Sequence, residues 1–306
     1  MQFPKKVIIE EQGLRDGLQP EKTIVSTEKK LEIIRNLVAA GLKRLQVVSF
    51  VHPKWVPQMA DAELLCSHLD HSGDIIYSGL VLNVKGVQRA VDSGLRHVAA
   101  SISASNTHSQ KNANMPLQEA RRQFAEMVRV AKHNGLTVRG GLQCVFGCRF
   151  EGRIDWRHVL DMLAEQLDCG VDEIALADST GMADPVAVQE ISVKVVELAQ
   201  NKPVFLHLHD TEGKGLANVI AALSAGISNF DTAFGGMGGC PFIKGASGNL
   251  PTEDLAFMLS QMGIQTGIDV RAVAAISRDV EAFIGKTFSG KMHKVLARED
   301  IQILCA

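Results

Sequence analysis

The stretch AAGLKRLQVV, residues 39–48, decides the fold, because a single glycine joins the end of a helical pattern to the start of a strand. Before Gly41 the apolar residues recur with helical period, and after it the chain is apolar on both faces. A glycine in this position favours the left-handed conformation that ends a helix. The same arrangement recurs as DSGLRHV (92–98), HNGLTV (133–138), DCGVDEI (168–174) and SAGISNF (224–230).

Apolar segments rich in β-branched residues recur along the chain and predict eight strands. Most are apolar on both faces, as expected of parallel strands covered by helices. Eight strands, each followed by a helix, are typical of a (β/α)8 TIM barrel in the α/β class. A doubly wound open sheet is the alternative, but no GxGxxG motif follows the first strand. The predicted strands are residues 6–11, 43–48, 75–81, 96–101, 137–145, 172–177, 203–208 and 228–233.

The helices predicted between these strands begin with residues 26–41, where Ser26 or Thr27 is the candidate N-cap. Residues 252–306 continue as additional C-terminal helices, and no Pro/Ser-rich linker separates them from the barrel. We therefore expect one catalytic domain over residues 1–306, with 252–306 as a helical extension packed on the barrel. The other predicted helices lie in residues 116–135, 155–170, 185–202 and 215–226.

The composition is that of an ordinary globular protein, with 46% hydrophobic and 22% charged residues and a formal net charge of −2. No basic field therefore indicates a nucleic-acid partner. The longest apolar runs, such as VIAALSAGI (219–227), are shorter than the roughly 20 residues that cross a bilayer. The N-terminal MQFPKK also lacks the apolar core of a signal peptide. We expect a soluble cytoplasmic protein that binds neither nucleic acid nor membranes.

The six cysteines are too scattered for a disulfide framework, and an intracellular location keeps thiols reduced. Cys144 and Cys148 could form half of a zinc site, but no second Cys/His pair lies nearby at a suitable spacing. Small residues packed near a strand end are therefore the preferred interpretation of these two cysteines.

Polar residues cluster where the predicted strands end, which is the catalytic face of a TIM barrel. His207 and His209 are two positions apart on a strand, so their side chains share one face and point to the barrel axis. A lone histidine there would more often be a hydrogen-bonded core residue. Two neutral nitrogens with an oxygen of Asp16 make a mixed site suited to Mg²⁺, Mn²⁺, Co²⁺ or Zn²⁺. Arg15 and Asp16 follow the first strand, Asp178 follows the sixth, and His207 and His209 close the seventh.

Arg15 can present a fixed cation to a developing oxyanion, although a surface arginine paired with a carboxylate is the alternative. The glycine-rich segment 235–250 follows the eighth strand, and by itself it could be a flexible connection. It contains one thiol, Cys240, and one amide, Asn249, near its end. The thiol could act as acid or base over a substrate, and the amide could complete a metal site.

These residues resemble the 3-hydroxy-3-methylglutaryl-CoA lyases, within the barrel metal-dependent lyases and synthases that carry an Arg-Asp pair after the first strand. The resemblance covers nearly the whole chain. The GxRDGxQ and HxH elements are shared by the wider group, whereas FVxPKWVPQM and GGCPxxxGASGNxxTEDL are specific to the lyases. The similar segments, in the family's order, are residues 13–30, 49–62, 111–120, 209–218 and 236–255.

The resemblance implies a divalent metal, usually Mg²⁺ or Mn²⁺, bound by residues matching Asp16, His207, His209 and Asn249. It also implies an acyl-CoA substrate, a homodimer and a retro-Claisen cleavage to acetyl-CoA and an oxo acid. In that reaction the arginine stabilises the thioester enolate and a cysteine on a glycine loop closes over the site. The expected catalytic residues are Arg15, Asp16, Gln46, His207 and Cys240, and the expected substrate-binding residues are Arg15, Gly141, Gln143 and Asp178.

Two positions depart from the family's pattern. Gln46, in LQVVSF, stands where the lyases carry a catalytic glutamate, and an amide can hold Arg15 but cannot take a proton at neutral pH. Gly141, in VRGGLQC, stands where we expect a tyrosine, and Gln143 follows it. Loss of a large ring should enlarge or reshape the acyl pocket. A different 3-hydroxyacyl-CoA, such as citramalyl-CoA or a longer branched glutaryl-CoA, is therefore an alternative substrate.

Three further functions remain open from the sequence. An acetyl-CoA-dependent synthase condensing a 2-oxo acid shares the Arg-Asp and HxH elements, but such enzymes usually carry a C-terminal regulatory domain. An aldolase acting on a 4-hydroxy-2-oxo acid is less favoured, because Cys240 resembles the lyases. A non-catalytic barrel that binds acyl-CoA is kept open by Gln46.

Overall fold

The computed structural model describes residues 3–239 and 248–296, and it confirms the predicted (β/α)8 barrel. Eight parallel strands close in chain order, and the first pairs with the last through Ile8 and Asn229. Each predicted strand is present, with its ends shifted by no more than a few residues. The strands are β1 Ile8–Glu11, β2 Arg44–Ser49, β3 Ile76–Val81, β4 His97–Ser103, β5 Thr137–Gln143, β6 Glu173–Asp178, β7 Val204–Leu208 and β8 Asn229–Thr232.

The helices cover the outside of the barrel, and their apolar sides pack on the strands. Ser26 is the N-cap of the first helix, since its hydroxyl accepts a hydrogen bond from the Lys29 N–H over 3.3 Å. The helices around the barrel are α1 Thr27–Ala39, α2 Ala62–Ser67, α3 Val84–Asp92, α4 Asn106–Ala113, α5 Leu117–His133, α6 Trp156–Asp168, α7 Pro185–Ala199 and α8 Gly215–Ser224. None of the helices in the described part of the chain is long and apolar enough to span a membrane.

The repeated glycines end helices as the sequence predicts. Gly41 has a φ of 95°, and the glycines in the four other repeats also have positive φ. A side chain is strained in this conformation, so glycine fits there better than any other residue. The chain can therefore leave each of these helices and turn directly into the next strand.

Additional helices follow the barrel, as expected. They are α9 Thr252–Gln261, α10 Val270–Ile284 and α11 Met292–Val295, and α10 packs against both α1 and α9. The residues after 296 lie outside the described part, so the extension of this region to residue 306 stays a prediction, as does the single-domain organisation.

The interior of the barrel contains charged side chains below the catalytic face. Arg139 is fully buried and donates to Glu10 (2.6 Å), Glu173 (3.1 Å) and Asp231 (3.0 Å). Arg44 donates to Glu10 (2.9 Å) and Glu173 (2.8 Å). Each charge therefore has an opposite charge within hydrogen-bond distance. We refer to Glu10, Arg44, Arg139, Glu173 and Asp231 as the barrel-core ionic network.

Candidate active site

Arg15 and Asp16 lie on one turn of π-helix, Gly13–Gly17, that follows β1. Such turns are rare and occur frequently at functional sites. Gly13 is required because a Cβ at this position would clash with the ring of Phe234 and would lie 2.7 Å from Oε1 of Glu11. The Arg-Asp pair is therefore held on a tightly packed corner.

The structure brings Asp16, His207 and His209 together at the catalytic face. The Nε2 atoms of the two histidines lie 3.1 Å apart. Oδ2 of Asp16 lies 3.9 Å from Nε2 of His207 and 3.8 Å from Nε2 of His209. Within the described residues, these three side chains are the group of His, Cys and acidic residues that could hold a metal ion. The geometry agrees with the site expected from the sequence, and the role of each residue as a ligand stays a prediction.

Asn249 lies beside this group, although it comes from the other end of the chain. Its Nδ2 donates to Oδ2 of Asp16 over 2.6 Å and to the Met237 carbonyl over 3.0 Å. Its Oδ1 is buried and has no hydrogen-bond partner among the described residues. A buried carbonyl oxygen without a partner is costly, and a bound cation would satisfy it.

The protonation states of these groups favour cation binding. Burial acts to raise the pKa of the Asp16 carboxyl, but the charges of Arg15, His207 and His209 outweigh it and hold this pKa well below its usual range. Burial, together with the neighbouring His207, lowers the pKa of His209 to about 4. At neutral pH Asp16 is therefore an anion and His209 a neutral imidazole, which are the forms that bind metals.

Asp231 contacts His207 from below the catalytic face, and it was not predicted from the sequence. Its Oδ2 lies 3.4 Å from Nδ1 of His207, while its Oδ1 accepts a hydrogen bond from Arg139. Burial acts to raise the pKa of this carboxyl, but the charge of Arg139 and the contact with His207 lower it. A carboxylate on Nδ1 fixes the ring orientation and leaves Nε2 free to bind a metal. In the sequence, Asp231 is a charged residue inside the predicted strand 228–233, and this is the signal that could have indicated it.

Three side chains hold Arg15. Its Nε donates to Oε1 of Gln46 over 2.5 Å, as the sequence analysis expects of an amide at that position. The guanidinium also contacts Oε1 of Gln12 and Oδ1 of Asp16. Gln12 was not expected from the sequence. Two of these partners are neutral amides, and the third, Asp16, is a carboxylate that forms an ion pair with the guanidinium.

Gly141 and Gln143 lie near a cavity at the end of β4 and β5. A Cβ on Gly141 would lie 2.9 Å from Oγ of Ser101, the residue paired with it across the sheet. Ser101, Ser103 and Gln143 line the cavity together with Leu82 and other side chains. With glycine in place of the expected tyrosine, only small residues face each other at this position of β4 and β5. Contact of Gly141 and Gln143 with substrate stays a prediction.

Asp178 is the last residue of β6 and is buried by its own loop. Its two carboxylate oxygens accept hydrogen bonds from the N–H groups of Met182 (2.9 Å) and Ala183 (3.1 Å). Burial outweighs these bonds and raises the pKa of Asp178 to about 6. The Asp178 carboxylate thus holds the loop after β6 in place. Its contact with substrate stays a prediction.

The cysteines divide into two groups. Cys144 and Cys148 are buried and form no disulfide, and Sγ of Cys148 lies 3.0 Å from the Ser105 hydroxyl, as expected of packing residues. Cys240, predicted as a catalytic residue, lies outside the described residues.

Comparison with known proteins connects this site to a family. The HMGL-like family model matches residues 6–280. The chain belongs to the HMGL-like family. A relative from Pseudomonas aeruginosa, named 3-hydroxy-3-isohexenylglutaryl-CoA/hydroxy-methylglutaryl-CoA lyase, is 36% identical over 97% of this chain and 99% of its own length.

Solved structures agree with this assignment. An HMG-CoA lyase from Bacillus subtilis has a TM-score of 0.94 and 35% identity, covering 97% of this chain and all of that one (100%). An HMG-CoA lyase from Acinetobacter baumannii in complex with coenzyme A and 3-methylmalate has a TM-score of 0.92 and 39% identity, covering 98% of both chains. The comparisons confirm the expected family and the expected carbon–carbon lyase of the hydroxymethylglutaryl-CoA lyase type.

Proposed function

We propose that the protein is a divalent-metal-dependent lyase that cleaves a 3-hydroxyacyl-CoA of the 3-hydroxy-3-methylglutaryl-CoA type into acetyl-CoA and an oxo acid. The observation that carries this proposal is the convergence of Asp16, His207 and His209 beside Arg15 at the catalytic face. A retro-Claisen cleavage requires a group that makes the tertiary hydroxyl more acidic and a cation for the enolate, and this arrangement offers both.

The residues fit a cation of the Mg²⁺ or Mn²⁺ kind. Asp16 offers an anionic oxygen, the two histidines offer nitrogens, and Asn249 offers its unpartnered Oδ1. Carboxylate, amide and imidazole ligands together suit these metals, and Co²⁺ and Zn²⁺ are compatible. When bound, the cation supplies a Lewis acid that lowers the pKa of the substrate hydroxyl.

Arg15 would stabilise the negative charge that develops on the thioester oxygen as the carbon–carbon bond breaks. Gln46 and Gln12 hold its guanidinium before the substrate arrives, so the donor needs no reorganisation during the reaction. Gln46 itself cannot accept the hydroxyl proton at neutral pH. That proton must pass to another group, and Asp16, His207 and Cys240 are the candidates.

A second candidate substrate is a 3-hydroxyacyl-CoA with a different acyl group, such as citramalyl-CoA or a longer branched glutaryl-CoA. Gly141 has no side chain, and the small side chain of Ser101, its partner on β4, packs against the place where a Cβ would lie. The Pseudomonas relative is named for 3-hydroxy-3-isohexenylglutaryl-CoA as well as for hydroxymethylglutaryl-CoA. The Acinetobacter structure contains 3-methylmalate, a hydroxy diacid, together with coenzyme A. Both support a site in this family that accepts more than one acyl group.

A substrate panel tests the proposal. The Mg²⁺-loaded protein is incubated with hydroxymethylglutaryl-CoA, citramalyl-CoA and a longer branched glutaryl-CoA, and acetyl-CoA release is measured. We expect release that EDTA abolishes, and the fastest substrate identifies the acyl group. No release from any of them, with CoA ester binding intact, would favour the non-catalytic alternative. Condensation of acetyl-CoA with a 2-oxo acid, without cleavage, would favour the synthase.

Two variants separate the candidate substrates. Gln46→Glu should raise cleavage of hydroxymethylglutaryl-CoA severalfold, and an unchanged or lower rate would mean that the amide is adapted to another acyl group. Gly141→Tyr should lower the rate with the longer branched substrate. Gly141→Ala is its matched control, because its Cβ would meet Oγ (2.9 Å) and Cβ (3.1 Å) of Ser101 in the same way but adds no ring.

The homodimer implied by the resemblance is part of the proposal. Size-exclusion chromatography with light scattering tests it, and a mass near that of one chain, 33.1 kDa, would contradict it.

A further inference from the structure

Glu11 lies where three segments of the candidate site meet, and the proposed chemistry does not use it. It is the last residue of β1, and its side chain is fully buried. Oε1 accepts hydrogen bonds from the Gly13 N–H (2.7 Å) and the Phe234 N–H (3.0 Å). Oε2 accepts one from the Thr252 hydroxyl (2.5 Å). A single carboxylate therefore binds donors that are separated by more than two hundred residues along the chain.

Each donor is close along the chain to part of the metal site. Gly13 begins the π-helical turn that carries the Arg-Asp pair. Phe234 begins the segment after β8, whose Met237 carbonyl accepts hydrogen bonds from the backbone N–H (3.2 Å) and the side-chain amide (3.0 Å) of Asn249. Thr252 begins α9, directly after the stretch that contains Asn249.

We infer that Glu11 is a positioning residue that sets the separation between Asp16 and Asn249 and thereby the shape of the cation site. This inference rests on the proposed metal site. The two side chains are 233 positions apart in sequence, yet Nδ2 of Asn249 lies 2.6 Å from Oδ2 of Asp16. The segments that carry them are both bonded to the Glu11 carboxylate, so a shift of either segment would break one of its bonds.

Both terminal oxygens of Glu11 accept hydrogen bonds at this position, and each has at least one donor within reach. The three donors are two backbone N–H groups and a hydroxyl that also lies 2.6 Å from the Thr232 hydroxyl. A glutamine would place an NH₂ group opposite Thr252, so at most one of its two terminal atoms could accept. Burial raises the pKa of Glu11 to about 7 although these hydrogen bonds oppose the shift. Burial of this carboxyl costs free energy of folding, and the fold places it between the segments that carry Asp16 and Asn249.

The test compares two single substitutions with a matched control. Glu11→Ala removes all three hydrogen bonds to the carboxyl, whereas Thr252→Val removes one of them, together with the contact to the Thr232 hydroxyl, and keeps the side-chain shape. Asp254→Ala is the control, because this buried carboxylate also accepts backbone N–H groups, those of Lys291 (3.0 Å) and Met292 (2.7 Å), but ties α9 to α11 instead. Mn²⁺ binding to the metal-free proteins is measured by electron paramagnetic resonance, and backbone hydrogen exchange is measured over residues 13–17 and 234–237.

We expect Glu11→Ala to weaken Mn²⁺ binding by roughly tenfold or more and Thr252→Val by about threefold, as for other groups that orient metal ligands. Both should speed exchange in the two segments, whereas Asp254→Ala should lower the melting temperature and leave Mn²⁺ affinity unchanged. Wild-type affinity in both Glu11→Ala and Thr252→Val would overturn the inference.

Two outcomes separate this inference from the metal proposal. If Glu11→Ala does not fold, Thr252→Val alone decides the inference against the Asp254→Ala control. If the wild type binds no Mn²⁺, the proposed metal site is refuted, and the exchange of residues 13–17 and 234–237 in the metal-free variants still decides whether Glu11 holds the two segments. Unchanged exchange in both would overturn the positioning role.

Discussion

Two regions of the barrel interior contain charged side chains, and they differ in how those charges are satisfied. In the barrel-core ionic network, Arg139 is surrounded by three carboxylates and every charge has a partner within hydrogen-bond distance. A few residues higher, at the catalytic face, the Nε2 atoms of His207 and His209 face each other and Oδ1 of Asn249 has no partner among the described residues.

The difference separates a structural use of buried charge from a functional one. Paired charges in a buried network hold a geometry and leave nothing for a ligand to satisfy. Two imidazole nitrogens that face each other beside an amide oxygen without a partner are costly to the fold, and such a cost is usually found at functional sites. Asp231 belongs to both regions, because it accepts from Arg139 and contacts His207. The network therefore supports the imidazole of His207 through Asp231.

The largest effect should come from the catalytic face. His207→Ala removes one of the two converging nitrogens, so we expect Mn²⁺ binding and acetyl-CoA release to be lost together. His133→Ala, an exposed histidine at the end of α5, is the control and should change neither. Turnover that persists after the metal has been stripped completely would contradict the assignment.

The sequence predicted that Asp16, His207 and His209 come together at the catalytic face, but it did not predict the barrel-core ionic network. His207 and His209 could be placed because a two-residue spacing on a strand fixes a shared face. The Arg139–Glu10 bond joins residues 129 positions apart, and nothing local in either strand indicates the partner of the other. The neighbouring residues in the sequence predict that such a charged residue lies in a strand. Its ion-pair partner is determined only when the barrel closes.

Local features beyond the regular elements were also hard to predict. The glycine C-caps could be predicted because a positive φ has a residue signature, as at Gly41. Glu11 could not, because its three donors come from segments that only the folded chain brings together. Asp178 was expected at the substrate because it follows a strand, and its two backbone hydrogen bonds show the loop-holding role that the same position can serve.

The next largest effect should come from the network. Arg139→Leu leaves Glu10, Glu173 and Asp231 without their shared cation, and it removes the guanidinium that lies 3.6 Å from the centre of the Phe205 ring. Breaking a buried charge network on one side costs roughly 3–5 kcal/mol of the free energy of unfolding. Urea denaturation measures it. Arg129→Leu, which breaks an exposed pair on α5, should leave the midpoint nearly unchanged. Equal losses of the free energy of unfolding in Arg139→Leu and Arg129→Leu would mean that the barrel-core ionic network does not stabilise the fold.

The pH dependence of stability should distinguish the carboxylates of the two regions. Glu11 has a pKa raised from 4.5 to about 7 by burial, so the stability it contributes is present below pH 4.5 and lost as the pH rises through 7. For Glu173, burial is outweighed by the hydrogen bond with His97 and the charges of Arg139 and Arg44, which hold its pKa well below the usual range. Its contribution is therefore constant between pH 5 and 8.

These signs give opposite expectations for two matched variants. Between pH 5 and 8 the wild type should lose roughly 3 kcal/mol of its free energy of unfolding as Glu11 ionises. Glu11→Gln lacks this group and should not show the loss, so its stability relative to wild type should rise by the same amount. Glu173→Gln should show a deficit that does not change over the same range. Urea titrations at several pH values measure both. If Glu11→Gln is less stable than wild type by the same amount at every pH, the Glu11 carboxyl is ionised over the whole range, as are the carboxylates of the barrel-core ionic network.

The smallest effect should come from the residue that joins the two regions. Asp231→Asn keeps the shape of the side chain but removes the negative charge beside Nδ1 of His207, so Mn²⁺ affinity should fall by about tenfold. Glu10→Gln is the matched control, because it removes a charge from the same network without touching His207. If Asp231 acts by orienting the imidazole, Glu10→Gln should cost stability and leave metal affinity unchanged. If both variants weaken Mn²⁺ binding equally, the network acts on the site through its summed charge, and the division between a structural base and a functional face would have to be abandoned.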